Sequence, residues 1–372
     1  MTTEPLSKIR IGLIGAGGIA HAHAKALGEL GRLADLRAVC EVDAARGRAF
    51  QQNYHIAAVY QDPRDLLADK TIEVVGICTP AFNHAELTCA ALRAGKWALC
   101  EKPLGGSLRE LDAILAVERE TGRRAASVCQ QRLGKGLRAV AELVQAGKAG
   151  RPLVALSETF WRREQKTYYD TAPWRGTWAG EMGGCLMTQA IHGLDSLLSI
   201  FGDPAWVCTD AAALGHSIKV DDCAAATVHF KSGALAGIVA TTCCCHEDIS
   251  RLRLVFERLT ACSAEKPGTF GDLPWSLTAR EPALQTDIDA CLERWRTSPE
   301  RDGHAGQWGA FLDAFRRQSE PLVSTADARR TLELVAGLYR SAIRGEKTVF
   351  PIEPGDPFYA SMNGGQALRG AP

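Results

Sequence analysis

KIRIGLIGAGGIA, residues 8–20, runs an apolar segment into a cluster of glycines. Residues 8–17 read as a strand that ends in those glycines, and residues 19–30 continue as a helix. Gly15-Ala16-Gly17-Gly18-Ile19-Ala20 has the spacing G-x-G-x-x-A at the strand-to-helix turn. Glycine at 15 permits the tight turn, glycine at 17 lets a pyrophosphate approach the backbone, and Ala20 lets helix and strand pack closely. The helix N-terminus adds amide donors and a partial positive charge. Glu41 ends the second expected strand, where a carboxylate accepts hydrogen bonds from the adenosine ribose and repels a 2′-phosphate. Gly15, Gly17, Gly18, Ile19 and Glu41 are therefore assigned to a dinucleotide, NAD in preference to NADP. Arg46 and Arg48, just beyond, keep NADP open.

Working outward, strands and helices alternate through the first third of the chain. Strands are expected at 36–43, 71–80, 96–103 and 123–132, and helices at 44–54, 63–67, 83–95 and 108–122. Such alternation implies a parallel sheet covered on both faces, an α/β Rossmann domain over residues 1–127. From residue 128 to 372 the pattern changes. A helix over 134–147 and a strand over 151–163 precede one helix over 183–202. Strands follow near 204–214, 222–231, 234–244 and 251–259, then helices over 304–318 and 325–344. Ser324-x-x-Asp327 resembles a capping box before the last of these. The second domain is read as α+β, with a large, mostly antiparallel open sheet.

Lys plus Arg and Asp plus Glu are balanced at 43 each, so no basic field attracts nucleic acid or an anionic membrane. No apolar run approaches a membrane span of roughly 18 residues. The first residues lack an apolar signal core, and the chain is expected to be cytoplasmic. None of the thirteen cysteines is spaced C-x-x-C. Neighbours in a strand point to opposite faces, so Cys243-Cys244-Cys245-His246 reads as packing, and no metal is expected.

CTPAFNH (78–84), AGKWALCEKPL (94–104) and the GG-x₇-H-x-x-D run at 183–195 together resemble the glucose–fructose oxidoreductase, inositol dehydrogenase and rhizopine-catabolism family, Gfo/Idh/MocA. The resemblance runs from about residue 8 to about 360. It implies a nicotinamide-dependent dehydrogenase that oxidises a secondary alcohol of a sugar or cyclic polyol, or runs the reverse. It implies that Lys102 lies beside the nicotinamide and the reacting hydroxyl, with a cis Lys102–Pro103 bond. It also implies that Glu101 bonds the nicotinamide-side ribose and that Cys78, Thr79, Pro80 and Asn83 line the cofactor. Gln130 is placed with them.

Hydride leaves carbon as the hydroxyl proton leaves oxygen, so a base is required. His192 has a suitable pKa, and Lys102 can stabilise the developing alkoxide or relay the proton. Asp195, three residues on, shares the helical face of His192 and can orient it or hold a second hydroxyl. Inositol dehydrogenases of the family often carry an aspartate four residues before the histidine. Thr188 stands there, followed by Gln189, so hydrogen-bond partners replace the usual acidic relay. Arg162, Trp174, Arg175 and His304 complete the expected substrate contacts, Trp174 and Arg175 lying in a loop dense in aromatics. His21, His23 and His84 read as structural. An inositol or aldopyranose is the expected substrate. The alternatives are a dihydrodiol dehydrogenase or reductase on a more apolar ring, or a nucleotide-binding sensor without turnover. An open sheet with one uncovered face implies a homodimer or homotetramer.

Overall fold

Ile11, Leu13, Val74, Val75 and Ile77 are wholly buried, as expected for strands covered on both faces. The computed structural model describes residues 7–245, 248–263, 271–272 and 274–368. The first sheet has six strands: β1 (Ile9–Ile14), β2 (Ala34–Cys40), β3 (Ala58–Tyr60), β4 (Val74–Ile77), β5 (Trp97–Cys100) and β6 (Ala125–Ser127). Their order is β3-β2-β1-β4-β5-β6, and every pairing is parallel. The order reverses between β1 and β4, the switch point where ligands bind outside the strands' carboxyl ends. The Lys102–Pro103 bond is cis, as the resemblance implied.

The chain forms two compact units, and they cross the division drawn at residues 127 and 128. The first unit takes the chain as far as Gly105, then Glu110–Val128 and His304–Ala328. The last segment carries the helix Gly303–Arg317, whose Trp308, Phe311 and Leu312 are buried in the first unit's core. Spacings of three and four put these side chains on one helical face. Gly76 makes room for them: a Cβ there would lie 3.0 Å from the Trp308 ring. A reading in chain order cannot see a helix that returns to a core built some 200 residues earlier.

The second unit is built on eight strands: β7 (Pro152–Phe160), β8 (Pro204–Ala212), β9 (Cys223–Phe230), β10 (Leu235–Thr241), β11 (Ile249–Phe256), β12 (Leu259–Ser263), β13 (Trp275–Ala279) and β14 (Thr348–Val349). Their order is β13-β12-β11-β7-β10-β9-β8-β14, antiparallel except for β7 beside β10. β12, β13 and the helix Pro282–Thr297 were not anticipated. That helix shows its core only as Leu284, Ile288, Cys291 and Trp295 among charged residues. The helix Thr325–Arg344 has the expected bounds. Its capping box is reciprocal: Asp327 accepts the Ser324 N–H, and Ser324 Oγ accepts the Asp327 N–H. Among the described residues no helix is long and apolar enough to cross a membrane.

Candidate active site

Four strands of the first sheet end at residues of the expected site. After β1, Gly15 has φ +97°, and a Cβ there would lie 2.7 Å from the Cys78 carbonyl oxygen. Both the left-handed backbone and the close approach therefore require glycine. Gly17 and Gly18 open onto free space, and no side chain caps the helix Gly18–Glu29 that follows. An uncapped N-terminus beside two bare glycines fits a pyrophosphate. Ile19 is 40% exposed at the mouth of this loop.

After β2, Glu41 is buried, and its Oε2 accepts the Ala16 N–H at 2.9 Å. Its Oε1 accepts Arg46 Nη2 at 2.7 Å and the Asp43 N–H at 3.1 Å. Burial alone would raise the carboxyl's pKa, but Arg46 and the two amides hold it below the usual range. Glu41 thus ties the glycine loop to β2 and keeps a negative charge where a ribose would sit.

After β4, Thr79 Oγ1 donates to Asn83 Oδ1 at 2.6 Å, and Cys78 and Pro80 flank it. The buried His84 ring bridges the Thr79 carbonyl at 2.8 Å and the Pro103 carbonyl at 2.7 Å. It thereby ties the segment after β4 to the segment after β5. Burial pushes the Cys78 and Cys100 thiols well up, which makes them poor nucleophiles.

After β5, Glu101 is 7% exposed, and its Oε1 lies 2.9 Å from His23 Nε2. Trp308 Nε1 donates to His23 Nδ1 at 3.0 Å. An indole nitrogen only donates, so His23 Nδ1 must accept and Nε2–H must point at Glu101. His304 Nε2 stands 3.8 Å from the same carboxylate oxygen, beyond hydrogen-bond range. Burial opposes the charge on Glu101, yet the His23 hydrogen bond, with His304 and Lys102 nearby, holds its pKa well below normal. Lys102 follows directly, half-buried, its N–H bonded to Glu101 Oε2 at 3.2 Å. His304 therefore belongs to the glutamate's surroundings. His23, read as structural, is the residue the sequence reading missed. Its signal was a histidine on the buried face shared by Ala20, Ala24 and Leu27.

In the second unit, the single helix expected over 183–202 is broken. Cys185–Thr188 and Ile191–Phe201 are separate helices joined through Gln189 and Ala190. Thr188 Oγ1 donates to the Gly184 carbonyl at 2.8 Å and also lies against the Gln189 carboxamide. Asp221, unremarked in the sequence, anchors the turn: Oδ1 accepts the Gly184 N–H and Oδ2 the Leu186 N–H, at 2.8 and 2.9 Å. Tyr339 supports it, its hydroxyl donating to Asp221 Oδ1 at 2.7 Å. His192 starts the second helix and is 5% exposed. Gly193 brings this helix close to β7, since a Cβ there would lie 2.7 Å from Ser157 Oγ.

Asp195 is a correction. It was expected to orient His192 or hold a hydroxyl. Its fully buried carboxylate is instead gripped bidentately by Arg132, through Nε at 2.8 Å and through Nη2, and accepts Thr331 Oγ1 at 3.1 Å. Both oxygens are satisfied within the protein, so Asp195 fixes the helix. Arg162 is exposed and paired with Glu164 at 2.6 Å. With Arg163, Glu164, Thr167 and Tyr168 it lines a cavity of about 330 Å³ open to solvent. The Arg175 guanidinium lies over the Tyr168 ring at 4.1 Å and the Trp174 ring at 4.8 Å. Gln130 opens a 3₁₀ turn of this unit, its carboxamide oxygen buried without a hydrogen bond among the described residues. Of the 243–246 cluster, His246 lies outside the described residues.

Residues 9–129 match the family model described as an oxidoreductase family with NAD-binding Rossmann fold, and residues 137–261 match that of the GFO/IDH/MocA C-terminal domain. The chain belongs to the Gfo/Idh/MocA family. It is an NAD-binding oxidoreductase. Among its family relatives, myo-inositol 2-dehydrogenase of Thermotoga maritima is 29% identical over 332 residues, covering 88% of this chain and 94% of that one. D-apiose dehydrogenase of Paraburkholderia graminis is 23% identical, covering 99% and 97%. The solved WlbA dehydrogenase of Bordetella pertussis, in complex with NADH and UDP-GlcNAcA, superposes with a TM-score of 0.81 at 25% identity. That match covers 93% of this chain and all of the other. Levoglucosan dehydrogenase, at 19% identity and TM-score 0.79, covers 93% of this chain and shares the fold.

Proposed function

We propose that this family member oxidises a secondary ring hydroxyl of an inositol or an aldopyranose with NAD, Lys102 and His192 handling the proton. One observation carries the reading: the segments after β1, β2, β4 and β5 present, at one edge of a parallel sheet, the glycine loop, Glu41, Thr79 with Asn83, and Glu101 with Lys102. NAD, when bound, supplies the hydride acceptor. Gly17 and Gly18 leave room for its pyrophosphate, and Glu41 receives the adenosine ribose. Glu101, kept ionised by His23, accepts from the second ribose. Lys102 orients the reacting oxygen and offsets the charge that develops as its proton leaves. His192 accepts that proton, with Thr188 and Gln189 as neighbours where an acidic relay residue would stand. The stacking of Arg175 over Tyr168 and Trp174 favours a polyol over a bare apolar ring, because a guanidinium covers the aromatic faces and offers donors to hydroxyls.

Turnover is read from reduced-nicotinamide absorbance, with NAD or NADP and a panel of inositols, hexoses and aromatic dihydrodiols. The reading expects activity on a polyol or sugar with NAD. Lys102→Ala and His192→Asn should each lower kcat by about 10²- to 10⁴-fold. Full activity in Lys102→Ala, or turnover confined to dihydrodiols, refutes it. The chain is also read as a homodimer or homotetramer of cytoplasmic location. Val154 on β7 and its partner Leu235 on β10 are 43% and 40% exposed on the sheet's outward face, an apolar strip that a second copy would cover. Light scattering should show Leu235→Glu shifting the protein toward monomer.

A further inference from the structure

His216, Asp222 and Cys243 meet at one end of the second unit's sheet, where Cys243 also bridges to Arg162. His216 lies in the connection between β8 and β9, Asp222 and Cys223 at the start of β9, and Cys243 just past β10. His216 Nδ1 is 3.0 Å from Asp222 Oδ2 and 3.6 Å from Cys243 Sγ. Cys223 Sγ is 3.8 Å from Cys243 Sγ. The histidine and aspartate side chains are 9% and 0% exposed.

The other ring nitrogen decides the chemistry. His216 Nε2 lies 2.8 Å from the Arg163 carbonyl, which can only accept, so Nε2 carries the hydrogen. The neutral ring then aims its Nδ1 lone pair at a carboxylate oxygen 3.0 Å away. Two lone pairs at that separation need a cation between them, either a proton or a metal ion. The sulfur distinguishes the two. A proton shared by His216 and Asp222 gives no reason for the Cys243 thiol to sit against the same nitrogen.

We propose that His216 Nδ1, Asp222 Oδ2 and Cys243 Sγ form a three-ligand site for a zinc-type divalent cation, its fourth position left to water. Zinc–sulfur bonds of about 2.3 Å and zinc–nitrogen bonds of about 2.0–2.1 Å place a sulfur and a nitrogen ligand about 3.5–3.6 Å apart. The observed 3.6 Å matches that edge. The second shell is built as well. His216 donates Nε2–H to a backbone carbonyl, the usual way a ligating imidazole is oriented, and Asp222 Oδ1 accepts the Leu214 N–H at 2.7 Å. Gly215 is needed for the approach, because a Cβ there would lie 2.7 Å from Cys243 Sγ. One sulfur, one imidazole and one carboxylate suit zinc and exclude magnesium and calcium, which take oxygen ligands. On binding, one S–H bond breaks, one metal–sulfur bond forms and one proton passes to solvent, with no change of oxidation state. The ion would staple the 213–222 connection to the ends of β9 and β10. The expectation of no metal weighed adjacent cysteines, whereas the sheet brings together residues 27 positions apart.

The test uses the full chain, purified under reducing conditions, stripped with a chelator and dialysed against zinc sulfate. Metal content should be about one zinc per chain, with apparent affinity at least 100-fold weaker in Cys243→Ser and in His216→Gln. Cys245→Ser, which alters an exposed cysteine outside the set, should bind as the parent does. Cobalt(II) added to the stripped parent should give intense tetrahedral d–d bands and a sulfur-to-cobalt charge-transfer band, a readout that does not depend on any variant folding. Zinc should also raise the parent's Tm and leave that of Cys243→Ser unmoved. Absence of bound zinc and of cobalt bands in the folded parent overturns the proposal. So does equal retention by Cys243→Ser, or a Cys223–Cys243 disulfide in protein kept reduced.

Discussion

Replacing His23 with leucine tests the account of Glu101 most directly. In the native protein the Trp308 indole donates to Nδ1, and Nε2–H donates to a buried carboxylate. Leucine removes both contacts at once. A hydrogen bond to a charged group is worth about 1.5–3 kcal/mol, and a buried indole N–H left unsatisfied costs about 1–3 kcal/mol. A loss of about 3–5 kcal/mol follows, in line with breaking a buried charge pair. At about 2–4 °C per kcal/mol for a unit of this size, Tm should fall by roughly 6–20 °C. NADH affinity, read by fluorescence titration, should weaken by about tenfold or more if Glu101 holds the ribose, since one charge-assisted hydrogen bond is worth at least that. His23→Gln can donate to Glu101 and accept from Trp308, so it should recover part of both losses. The pH dependence gives a separate check. Glu101 has a folded pKa well below the unfolded value of about 4.3. Its stabilisation is therefore present above that pH and is lost as pH falls through the folded pKa. The gap between parent and His23→Leu should be widest near neutrality and narrow on acidification, with His304 and Lys102 still beside the carboxylate in both. A variant with parental Tm and parental NADH affinity would refute the reasoning.

Glu41→Ser should shift coenzyme preference toward NADP by about 10- to 100-fold in kcat/KM ratio, because it removes the negative charge and frees Arg46 for a 2′-phosphate. The same change should cost stability, since the Ala16 N–H loses its acceptor. Arg132→Met should destabilise by about 3–5 kcal/mol, measured by denaturant titration, because the fully buried Asp195 loses its bidentate partner. Arg132→Lys should recover only part, a point charge replacing a planar fork. Alkylation of the native protein followed by peptide mapping should label the exposed Cys208 and Cys245 first and Cys40, Cys78 and Cys100 last. Burial pushes Cys40 up to about 12 and Cys78 well above the usual thiol value, so little thiolate is present near neutral pH.

Legibility in the sequence followed the range over which each determinant acts. The glycine loop, Glu41 and the Glu101-Lys102-Pro103 run were readable because strand, turn and ligand contact lie within a few residues of one another. Most of the parallel sheet was readable for the same reason, with Gly95 and Gly122 closing two of its helices, while the three-residue strand Ala58–Tyr60 was not. The partners that hold the site in place were not readable. His23 reaches Glu101 across 78 positions, Trp308 reaches His23 across 285, and Arg132 reaches Asp195 across 63. Nothing local marks either end of such a pair, and a histidine on a buried helix face looks the same whether it fills space or holds a carboxylate. Asp195 shows the opposite error. Its spacing from His192 fits a helical couple, yet a guanidinium arriving from elsewhere outcompetes a neighbouring imidazole, since a bidentate pair satisfies both carboxylate oxygens at once. Residues proposed to touch ligand are therefore the legible ones here, and the residues that set their charge and angle become visible only when the chain is folded. Mutations at His23, Trp308 and Arg132 should disturb the chemistry as surely as mutations at the motif, and for reasons no motif records.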